Sequence, residues 1–460
     1  MNPKSILEKV CRSIDILINA SQKYEGLFPS VLSLNNYEMP DELPPPIPGQ
    51  RAGDRSYPGS NLIHDEALLM TMYAISKALN RKDYAEAADL YLKRFATHCT
   101  NTVTGLFPWG EHAFWHLKED RVAGNIHDHL RQAPLWLWEK LYEYNPRCVE
   151  RFAEGLDYHW KDGEPLEYTR HAPINEMKRP GRNGRACDFP RHSGFYIFDI
   201  SFAYTKTRRS DFLQQINRLV DYWWEKRDKK GLLLTESRSP ENNQSFYNVN
   251  APGQTISLAA SLLESALLLD KEERELASQM RHCAQIYTNG FLSAPHNLEA
   301  VEFVLGCKRD NNEVIHFSPV WGSIYGVWPS SYVALMALCI YRMESNEKLL
   351  RSVESIANCY IEKAFPDDVA VPAMDSGLML GLLAELYDIT DDKIWLKAGL
   401  DMTDKLIEIY LDGELPRGAS GIAWYESQMG PSFLLHGLTR IALLSIEKNN
   451  CPLPADYTAR

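Results

Sequence analysis

The sequence predicts an all-α protein folded as an (α/α) toroid, in which six or seven helical hairpins form one ring of helices inside another. Apolar residues recur with a helical period along nearly the whole chain. The helical segments come in pairs, and glycine-bearing turns often follow the second helix of a pair. We expect a single domain over residues 1–460.

Each pair combines a first helix that is apolar on most faces with a second helix that is amphipathic. An all-round apolar helix is buried, whereas an amphipathic helix lies outside it with its charged face in water. The first helices of five pairs are "NLIHDEALLMTMYAISKAL", "FYIFDISFAYTKT", "TISLAASLLESALLL", "SSYVALMALCIYRM" and "SGLMLGLLAELYDIT". Their partners are "RKDYAEAADLYLKRFATHC", "RSDFLQQINRLVDYWWEKR", "KEERELASQMRHCAQIY", "NEKLLRSVESIANCYIEKAF" and "DKIWLKAGLDMTDKLIEIYL".

The turns after the outer helices include "TGLFPWG", "KGLLLTE", "NGFLSAP" and "DGELPRG". Glycine at such a place ends a helix and lets the chain change direction. The alternative architecture is an α-solenoid of stacked helix pairs. We favour the toroid because the helix pairs are irregularly spaced along the sequence. The loops between them are also long and rich in Trp, His and Arg, which is typical of loops that carry function.

The first 60 residues predict a helix and a proline-rich strap. "MNPKSILEKVCRSIDILINASQKY" has acidic and polar residues inside its apolar part and no small-residue cleavage site, so it reads as an amphipathic helix and not as a signal peptide. The chain as given therefore predicts a cytoplasmic protein, or a secreted or periplasmic one if a leader preceded it. "EMPDELPPPIPGQRAGDRSYPGS" (38–60) predicts an extended strap over the surface or mouth of the fold.

The composition excludes several classes of partner. The chain has 61 acidic and 49 basic residues, a formal charge of -12, and no long basic run, so nucleic acids and anionic membranes are poor partners. No apolar run is long enough to cross a bilayer. The nine cysteines are scattered and form no CxxC pair, which predicts buried inert thiols in place of disulfides or a cysteine zinc site.

Three loop segments concentrate ionisable side chains, and the first is "LFPWGEHAFWHL" (106–117). His112 and His116 are four residues apart, so on a helix they would share a face and could bind one metal ion. The spacing is not that of a zinc protease, because no glutamate follows the first histidine. The alternative is that one or both are hydrogen-bonded among the neighbouring aromatic residues.

The second segment, "NIHDHLRQAPLWLWEKL" (125–141), has His127, Asp128 and His129 in a row. In an extended chain the two histidines share one side, whereas on a helix they diverge. One or two of the three side chains could bind a metal ion. The alternative is that Asp128 caps a helix beginning "HLRQAPLWLW".

The third segment, "EYTRHAPINEMKRPGRNGRACDFPRH" (167–192), gathers five arginines, one lysine and two histidines against three acids. Such a cluster in an acidic chain is either a solvated basic loop or a site for an anion. Arginine recognises carboxylates through two parallel hydrogen bonds. The chain is also rich in Trp and Tyr, whose rings cover the apolar faces of sugars. We therefore expect an anionic sugar, a uronate, as the ligand.

These segments carry a resemblance to a known family. "GLFPWGEHAFWHL", "HDHLRQAPLWLWEKLYEYNPRCVERF" and "HWKDGEPLEYTRHA" resemble, in order and roughly in spacing, the Trp-Gly-x-His, His-Glu-Leu and Arg-His segments of pectate lyases of polysaccharide lyase family 2. "SNLIHDEALLMTMYAISKALNRKDYAEAA", "GFYIFDISFAYTKT" and "MGPSFLLHGLTRIALL" resemble helices of the same family. The family fold is an (α/α) toroid, which agrees with the periodicity.

The resemblance implies metal-assisted β-elimination of a uronate-containing poly- or oligosaccharide, with pectate-type galacturonan as the first substrate. Arg170 would be the base, and His112 and His171 would bind a divalent metal ion, manganese first and calcium as the alternative. For the third ligand, Asp128 is the first choice and His129 the second, because "HDH" replaces the family's His-Glu. Arginine acts as a base only if its pKa falls, and we expect the neighbouring cations to lower it.

An anionic oligosaccharide or polysaccharide is thus the expected partner, and further side chains are expected to contact it. The expected substrate-binding residues are Arg131, Lys178, Arg182, Arg191, His192 and Trp109.

Two other functions compete with this hypothesis. A glycoside hydrolase on the same toroid, such as an unsaturated-uronide hydrolase, would need cavity carboxyl groups as general acid or base and no metal ion. The candidates for that chemistry are Asp65, Asp188, Asp375 and Glu426. A helical-repeat interaction protein would have no deep cavity, and its three loop segments would not converge.

Overall fold

The fold is described from a computed structural model that covers residues 2–297 and 303–459. Its helices are α1 (Pro3–Ser21), α2 (Leu62–Leu79), α3 (Lys82–Arg94), α4 (Leu135–Tyr144), α5 (Pro146–Gly155), α6 (Pro190–Thr207), α7 (Ser210–Trp224), α8 (Pro252–Leu269), α9 (Arg274–Leu292), α10 (Ser330–Glu344), α11 (Glu347–Glu362), α12 (Ala373–Thr390), α13 (Lys393–Tyr410) and α14 (Pro431–Ile446).

The helices form two layers, as the periodicity predicts. Helices α2, α14, α12, α10, α8 and α6 are buried along most of their length and pack side by side in that order. Each of α3, α7, α9, α11 and α13 packs outside its predicted partner. The short pair α4 and α5 lies between α3 and α6, and α1 packs on α14. The predicted (α/α) toroid of six to seven hairpins is confirmed.

Small residues explain how closely the inner helices approach one another. A Cβ on Gly377 of α12 would lie 2.3 Å from the backbone of α14, and a Cβ on Gly194 of α6 would lie 2.8 Å from Ser261 of α8. A larger side chain at either position would push the two helices apart and open the core. The small residues of the inner helices therefore permit the tight inner ring.

In the described part of the chain, ten short strands join the loops at the ends of the helices. They are β1 (Val31–Ser33), β2 (Gly59–Ser60), β3 (Ala113–His116), β4 (Arg121–Gly124), β5 (Ile126–His127), β6 (Ala172–Pro173), β7 (Val249–Asn250), β8 (Val304–Lys308), β9 (Val314–Phe317) and β10 (Trp424–Glu426). The pairings of these strands are antiparallel: β1 with β10, β2 with β3, β3 with β4, β5 with β6, β7 with β8, and β8 with β9.

Two of these pairings bring the three ionisable segments together. In β3 and β4, Ala113 pairs with Gly124, so the residues before β3 lie beside the start of the second segment. In β5 and β6, His127 pairs with Ala172, which brings Asp128 close to Arg170 and His171. The three segments, far apart in sequence, thus converge at one end of the toroid.

The proline-rich strap lies at the same end as these loops. Ile47 packs in a small apolar cluster with Ala419 and Met429. Arg55 forms two hydrogen bonds with Glu426, at 2.6 and 2.7 Å, and both side chains are only 2% exposed. The predicted strap therefore has a buried ionic anchor.

We expect Glu426→Gln to lower the free energy of unfolding by about 3–5 kcal/mol, because the substitution leaves the buried Arg55 guanidinium without a counter-charge. Urea unfolding followed by circular dichroism measures the change. The control is Glu139→Gln, which removes a half-exposed partner of Lys206 and should cost less than about 1 kcal/mol. Equal effects of the two substitutions would contradict the anchoring role of Glu426.

None of the described helices combines the length and the apolar character that crossing a membrane requires. The amphipathic α1 buries Ile6, Val10 and Ile14 as part of the outer layer. The nine cysteines are free thiols, of which seven are buried, as predicted.

Candidate active site

A cavity of about 640 Å³ opens where the loops converge. The strap lines it with residues 49–51, and the loop before α10 lines it with residues 323–328. Its aromatic lining residues are Phe189, Phe246, Tyr325, Trp328 and Tyr332. A volume of this size suits a ligand of a few sugar rings.

The charged lining of the cavity is almost entirely cationic. Among the described residues, five arginines line the cavity: Arg51, Arg131, Arg170, Arg185 and Arg191. Glu111 is the one described residue with a carboxylate in this lining. A concave surface with this excess of positive charge attracts anions. The cavity therefore favours an anionic ligand although the whole chain is acidic.

Glu111, His112 and Asp128 form a group that could hold a metal ion. One ligand atom of each lies within 4.8 Å of the others. Glu111 and His112 directly precede β3, and Asp128 directly follows β5. Carboxylate oxygens and imidazole nitrogens together suit a divalent first-row metal ion.

The Asp128 side chain is fixed by a hydrogen bond and by close packing against Gly110. Its Oδ1 accepts a hydrogen bond from the backbone N–H of His112 at 3.2 Å, and a Cβ on Gly110 would lie 2.0 Å from that oxygen. Its buried Oδ2 has no hydrogen-bond partner among the described residues. The pKa of Asp128 is raised to about 6, first by burial and then by the charge of Glu111. A buried carboxylate oxygen without a partner fits a metal ligand.

Arg170 lies beside this group, at the wall of the cavity. One of its terminal nitrogens donates to Glu111 Oε2 at 3.1 Å and to the Tyr325 hydroxyl at 3.3 Å. Burial alone would lower the pKa of Arg170, but the carboxylates of Glu111 and Asp128 outweigh it and raise the pKa. The sign is opposite to the expectation that neighbouring cations lower it.

The basic residues of segment 167–192 do not surround Arg170 as expected, because most of them form hydrogen bonds or ion pairs elsewhere. Arg179 forms an ion pair with Asp157, and Arg185 with Glu236. Arg182 is exposed and donates to the backbone carbonyls of residues 162 and 163. The exposed Lys178 does not line the cavity either.

His171 lies beside the group that could hold a metal ion and directly precedes strand β6. Its ring centroid lies 5.1 Å from that of His112, and its Nε2 accepts a hydrogen bond from Arg170 Nε at 3.0 Å. The pKa of His171 is lowered to about 2, first by burial and then by the charge of Arg170. A neutral imidazole is the form that binds metal ions.

A series of buried hydrogen-bonded side chains connects the core to the backbone beside Arg170. Trp109 Nε1 donates to His127 Nε2 at 3.3 Å, and His127 Nδ1 lies 2.9 Å from His159 Nε2. His159 Nδ1 in turn lies 2.8 Å from the carbonyl oxygen of Thr169, next to Arg170. Trp109 is fully buried in this series and does not line the cavity, contrary to its expected contact with substrate.

Two other predicted site histidines face the core. His129 Nε2 lies 2.7 Å from Asp199 Oδ2, and its ring packs against Phe195. His192 is fully buried against Phe189 and Phe195 and does not line the cavity. The structure therefore brings Asp128, and not His129, to the group that could hold a metal ion.

The spacing of His112 and His116 is not helical, because the segment forms strand β3. His116 accepts a hydrogen bond from the backbone N–H of Glu119 at 3.1 Å. Asp128 caps no helix, since α4 begins only at Leu135. Of the expected substrate contacts, Arg131 and Arg191 do line the cavity.

The residues of the site that were not predicted include Glu111, Arg51 and Tyr325. Glu111 stands next to His112 in "WGEH", and that adjacency was the signal for it. Arg51 donates to the Tyr325 hydroxyl at 3.3 Å, so the strap and the loop before α10 meet over Arg170. Nothing local in the sequence links residue 51 to residue 325.

We expect Gly110→Ala to displace Asp128, because the new Cβ would overlap its Oδ1 and lie 2.4 Å from its carbonyl oxygen. The free energy of unfolding should fall by about 1–3 kcal/mol, and manganese affinity measured by calorimetry should fall with it. The matched control is Gly184→Ala, whose nearest neighbour would be a Pro240 carbon at 3.7 Å. If both variants behaved alike, the packing of Asp128 on Gly110 would not matter.

Fold and site together define an (α/α) toroid whose cationic cavity has a carboxylate–histidine group in its wall. Residues 46–184 match the family model described as periplasmic pectate lyase, and this range includes the whole metal-ligand group and Arg170. The predicted resemblance to pectate lyases is thus confirmed over that range. No curated protein matches the chain by sequence.

Solved structures extend the likeness of the fold to the rest of the chain. A cellobiose 2-epimerase from Bacillus thermoamylovorans B4167 has a TM-score of 0.51 at 10% identity, covering 96% of this chain and 98% of its own. A D-mannose isomerase has a TM-score of 0.51 at 10% identity, covering 85% and 99%. An unsaturated glucuronyl hydrolase from Bacillus sp. GL1 has a TM-score of 0.48 at 12% identity, covering 99% of both chains. The first two share the toroid fold.

Proposed function

We propose that the protein is a lyase that cleaves a uronate-containing poly- or oligosaccharide by β-elimination, with pectate-type galacturonan as the first substrate. The observation that carries the proposal is the meeting of Arg170 with Glu111, His112, Asp128 and His171. Of these five residues, Arg170, Glu111 and His171 line the cationic cavity. The match of residues 46–184 to a pectate lyase family supports it.

The cluster fits a divalent metal ion, for which we propose manganese first and calcium second. The proposed ligands are Glu111, His112, Asp128 and His171, and the fit rests on the unpartnered Oδ2 of Asp128 and the neutral imidazole of His171. A divalent cation there would bind the uronate carboxylate, acidify the C5 proton, and neutralise the two carboxylates that raise the pKa of Arg170.

Arg170 is the proposed base. Its guanidine would take the C5 proton, the C5–H electron pair would form the C4–C5 double bond, and the C4–O bond would break. The leaving oxygen would take a proton from solvent. Glu111 and Tyr325 hold the guanidine in place through hydrogen bonds. Burial alone would lower the pKa of Arg170, but Glu111 and Asp128 raise it overall, so the neutral base would require a cation bound beside these two carboxylates.

Arg131 and Arg191 are the proposed substrate contacts among the predicted set, because both line the cavity. We propose Trp328 and Tyr332, in place of Trp109, as the aromatic residues that contact the sugar, because their rings line the same cavity. Lys178, Arg182 and His192 are left out of the proposal because none of them lines it.

The four carboxyl groups predicted for the competing hydrolase each accept hydrogen bonds from neighbouring residues. Asp188 accepts hydrogen bonds from Tyr222 and Ser237, and Asp375 accepts two from Ser323. The other two candidates, Asp65 and Glu426, are bound to Tyr91 and Arg55. None of these four lines the cavity. This arrangement favours the lyase.

The compartment stays a prediction. The sequence pattern favours the cytoplasm, whereas the matched family is described as periplasmic.

The test is incubation with polygalacturonate and oligogalacturonates in manganese or calcium, and then in a chelator. A metal-dependent rise in the ultraviolet absorbance of the C4–C5 double bond is the expected result. Release of new sugar ends without that absorbance would overturn the lyase and favour the hydrolase. A rise that survives the chelator unchanged would overturn the metal-assisted route.

A further inference from the structure

We infer that the cavity has a second carboxylate-binding subsite, formed by Arg131 and Arg191 together with His64, which recognises a second acidic sugar of the substrate. The inference rests on the proposed function for the identity of the sugar. It adds that the substrate must carry at least two uronate residues, one at Arg170 and one at Arg131 and Arg191.

Arg131 is a buried cation without an ionic partner. It is 9% exposed and has no carboxylate within 4.0 Å in the part of the chain that the structure describes. Its guanidinium donates to the Met374 sulfur at 3.4 Å and lies 4.5 Å from the centroid of the Phe433 ring. Burial lowers the pKa of Arg131 and outweighs Asp456 and Glu66, which raise it. A buried charge with so little counter-charge costs free energy unless an anion joins it.

Arg191 is a second cation at the same cavity. It lies in the first turn of α6, 4.6 Å from the centroid of the Trp328 ring and 3.5 Å from the Tyr332 hydroxyl, and no ion pair of the described residues includes it. Its charge acts on Arg131: the pKa of Arg131 is lowered first by burial, and Arg191 adds to that effect. Both guanidinium groups line the same cavity, and arginine side chains of this kind suit a carboxylate.

His64 and Gln254 add neutral polar atoms to the lining. His64 is 1% exposed, lines the cavity, and has no hydrogen-bond partner for either ring nitrogen among residues 2–297 and 303–459. The buried Oε1 of Gln254 has no partner in the same part of the chain. Buried polar atoms in folded proteins are nearly always satisfied. Sugar hydroxyl groups would supply these missing hydrogen bonds.

Two aromatic rings add apolar surface to the subsite. Trp328 and Tyr332 stack with centroids 4.9 Å apart and an interplanar angle of 20°, and both line the cavity. No hydrogen bond or ion pair of the described residues links Arg131, Arg191 or His64 to Arg170 or Glu111. The two carboxylate sites are therefore separate sets of residues in one cavity.

The test measures binding without turnover, by calorimetric titration of digalacturonate in the presence of a chelator. We expect Arg191→Gln and Arg131→Gln each to weaken digalacturonate by about 10–100-fold, the loss expected for one hydrogen-bonded charge. Binding of the dimethyl ester of digalacturonate should change far less, because the ester lacks the charge. The control is Arg182→Gln, outside the cavity, and circular dichroism checks that each variant is folded.

Wild-type affinity for digalacturonate in both folded arginine variants would overturn the inference, as would a wild type that does not bind it. Arg191→Gln keeps the test valid if the more buried Arg131→Gln fails to fold. The proposed function has a separate readout. If Arg191→Gln weakens digalacturonate but the wild type produces no double bond, the subsite stands and the lyase falls. If the wild type produces the double bond and both variants bind normally, the lyase stands and the subsite falls.

Discussion

Arg170→Lys should lower the rate constant of elimination by about 10²–10⁴-fold, the usual contribution of a positioned general base. Lysine keeps the positive charge, but its single ammonium group cannot donate to Glu111, Tyr325 and His171 together as the guanidinium does. The loss should therefore appear in kcat, with a small change in KM. Double-bond absorbance on polygalacturonate at saturating manganese measures both constants.

The matched control is Arg182→Lys, in the same basic segment. Arg182 is exposed and donates only to backbone carbonyls outside the cavity, so its activity should equal that of the wild type. Near-normal turnover by Arg170→Lys would mean that another group takes the C5 proton. Equal losses in the two variants would point to the net charge of the segment instead.

The fold could be predicted because its signals are local. Each hairpin carries its own contrast between an apolar and an amphipathic helix, so five pairs were recognised from periodicity alone. The closure of the ring could not be predicted in this way. The inner helix α2 packs on α14, more than 350 residues further along the chain, and no local pattern in either helix predicts this contact.

The candidate site was predicted in part, and strand geometry explains the rest. The alternation of an extended chain separates Asp128 from its two neighbouring histidines, but it does not say which side faces the core. His127 and His129 are buried in the aromatic core. The carboxylate of Asp128 therefore lies on the other side of the extended chain, close to Glu111 and His112. The raised pKa of Arg170 was unforeseen for a similar reason, since it depends on Glu111 and not on the nearby basic residues.

Asp128→Asn tests the metal-ligand group directly. The amide keeps the shape of the side chain and can still accept from the N–H of His112, but it loses the charge that a divalent cation needs. Replacement of residues that only support metal ligands costs 10–100-fold in metal affinity. We therefore expect manganese affinity, measured by calorimetry, to fall by at least about 100-fold, and elimination at fixed low manganese to fall with it.

The unfolding curve in chelator separates this role from a structural one. Burial raises the pKa of Asp128, so its ionised form is unfavourable in the folded protein without a metal ion, and a neutral amide should leave stability equal or higher. Asp162→Asn, an exposed change in a nearby loop, should alter neither manganese affinity nor stability. A variant that lost stability but kept manganese affinity would make Asp128 a support of the fold, with Glu111, His112 and His171 left to hold the ion. Lost affinity with unchanged or increased stability would identify Asp128 as a ligand whose buried charge is retained for the metal ion.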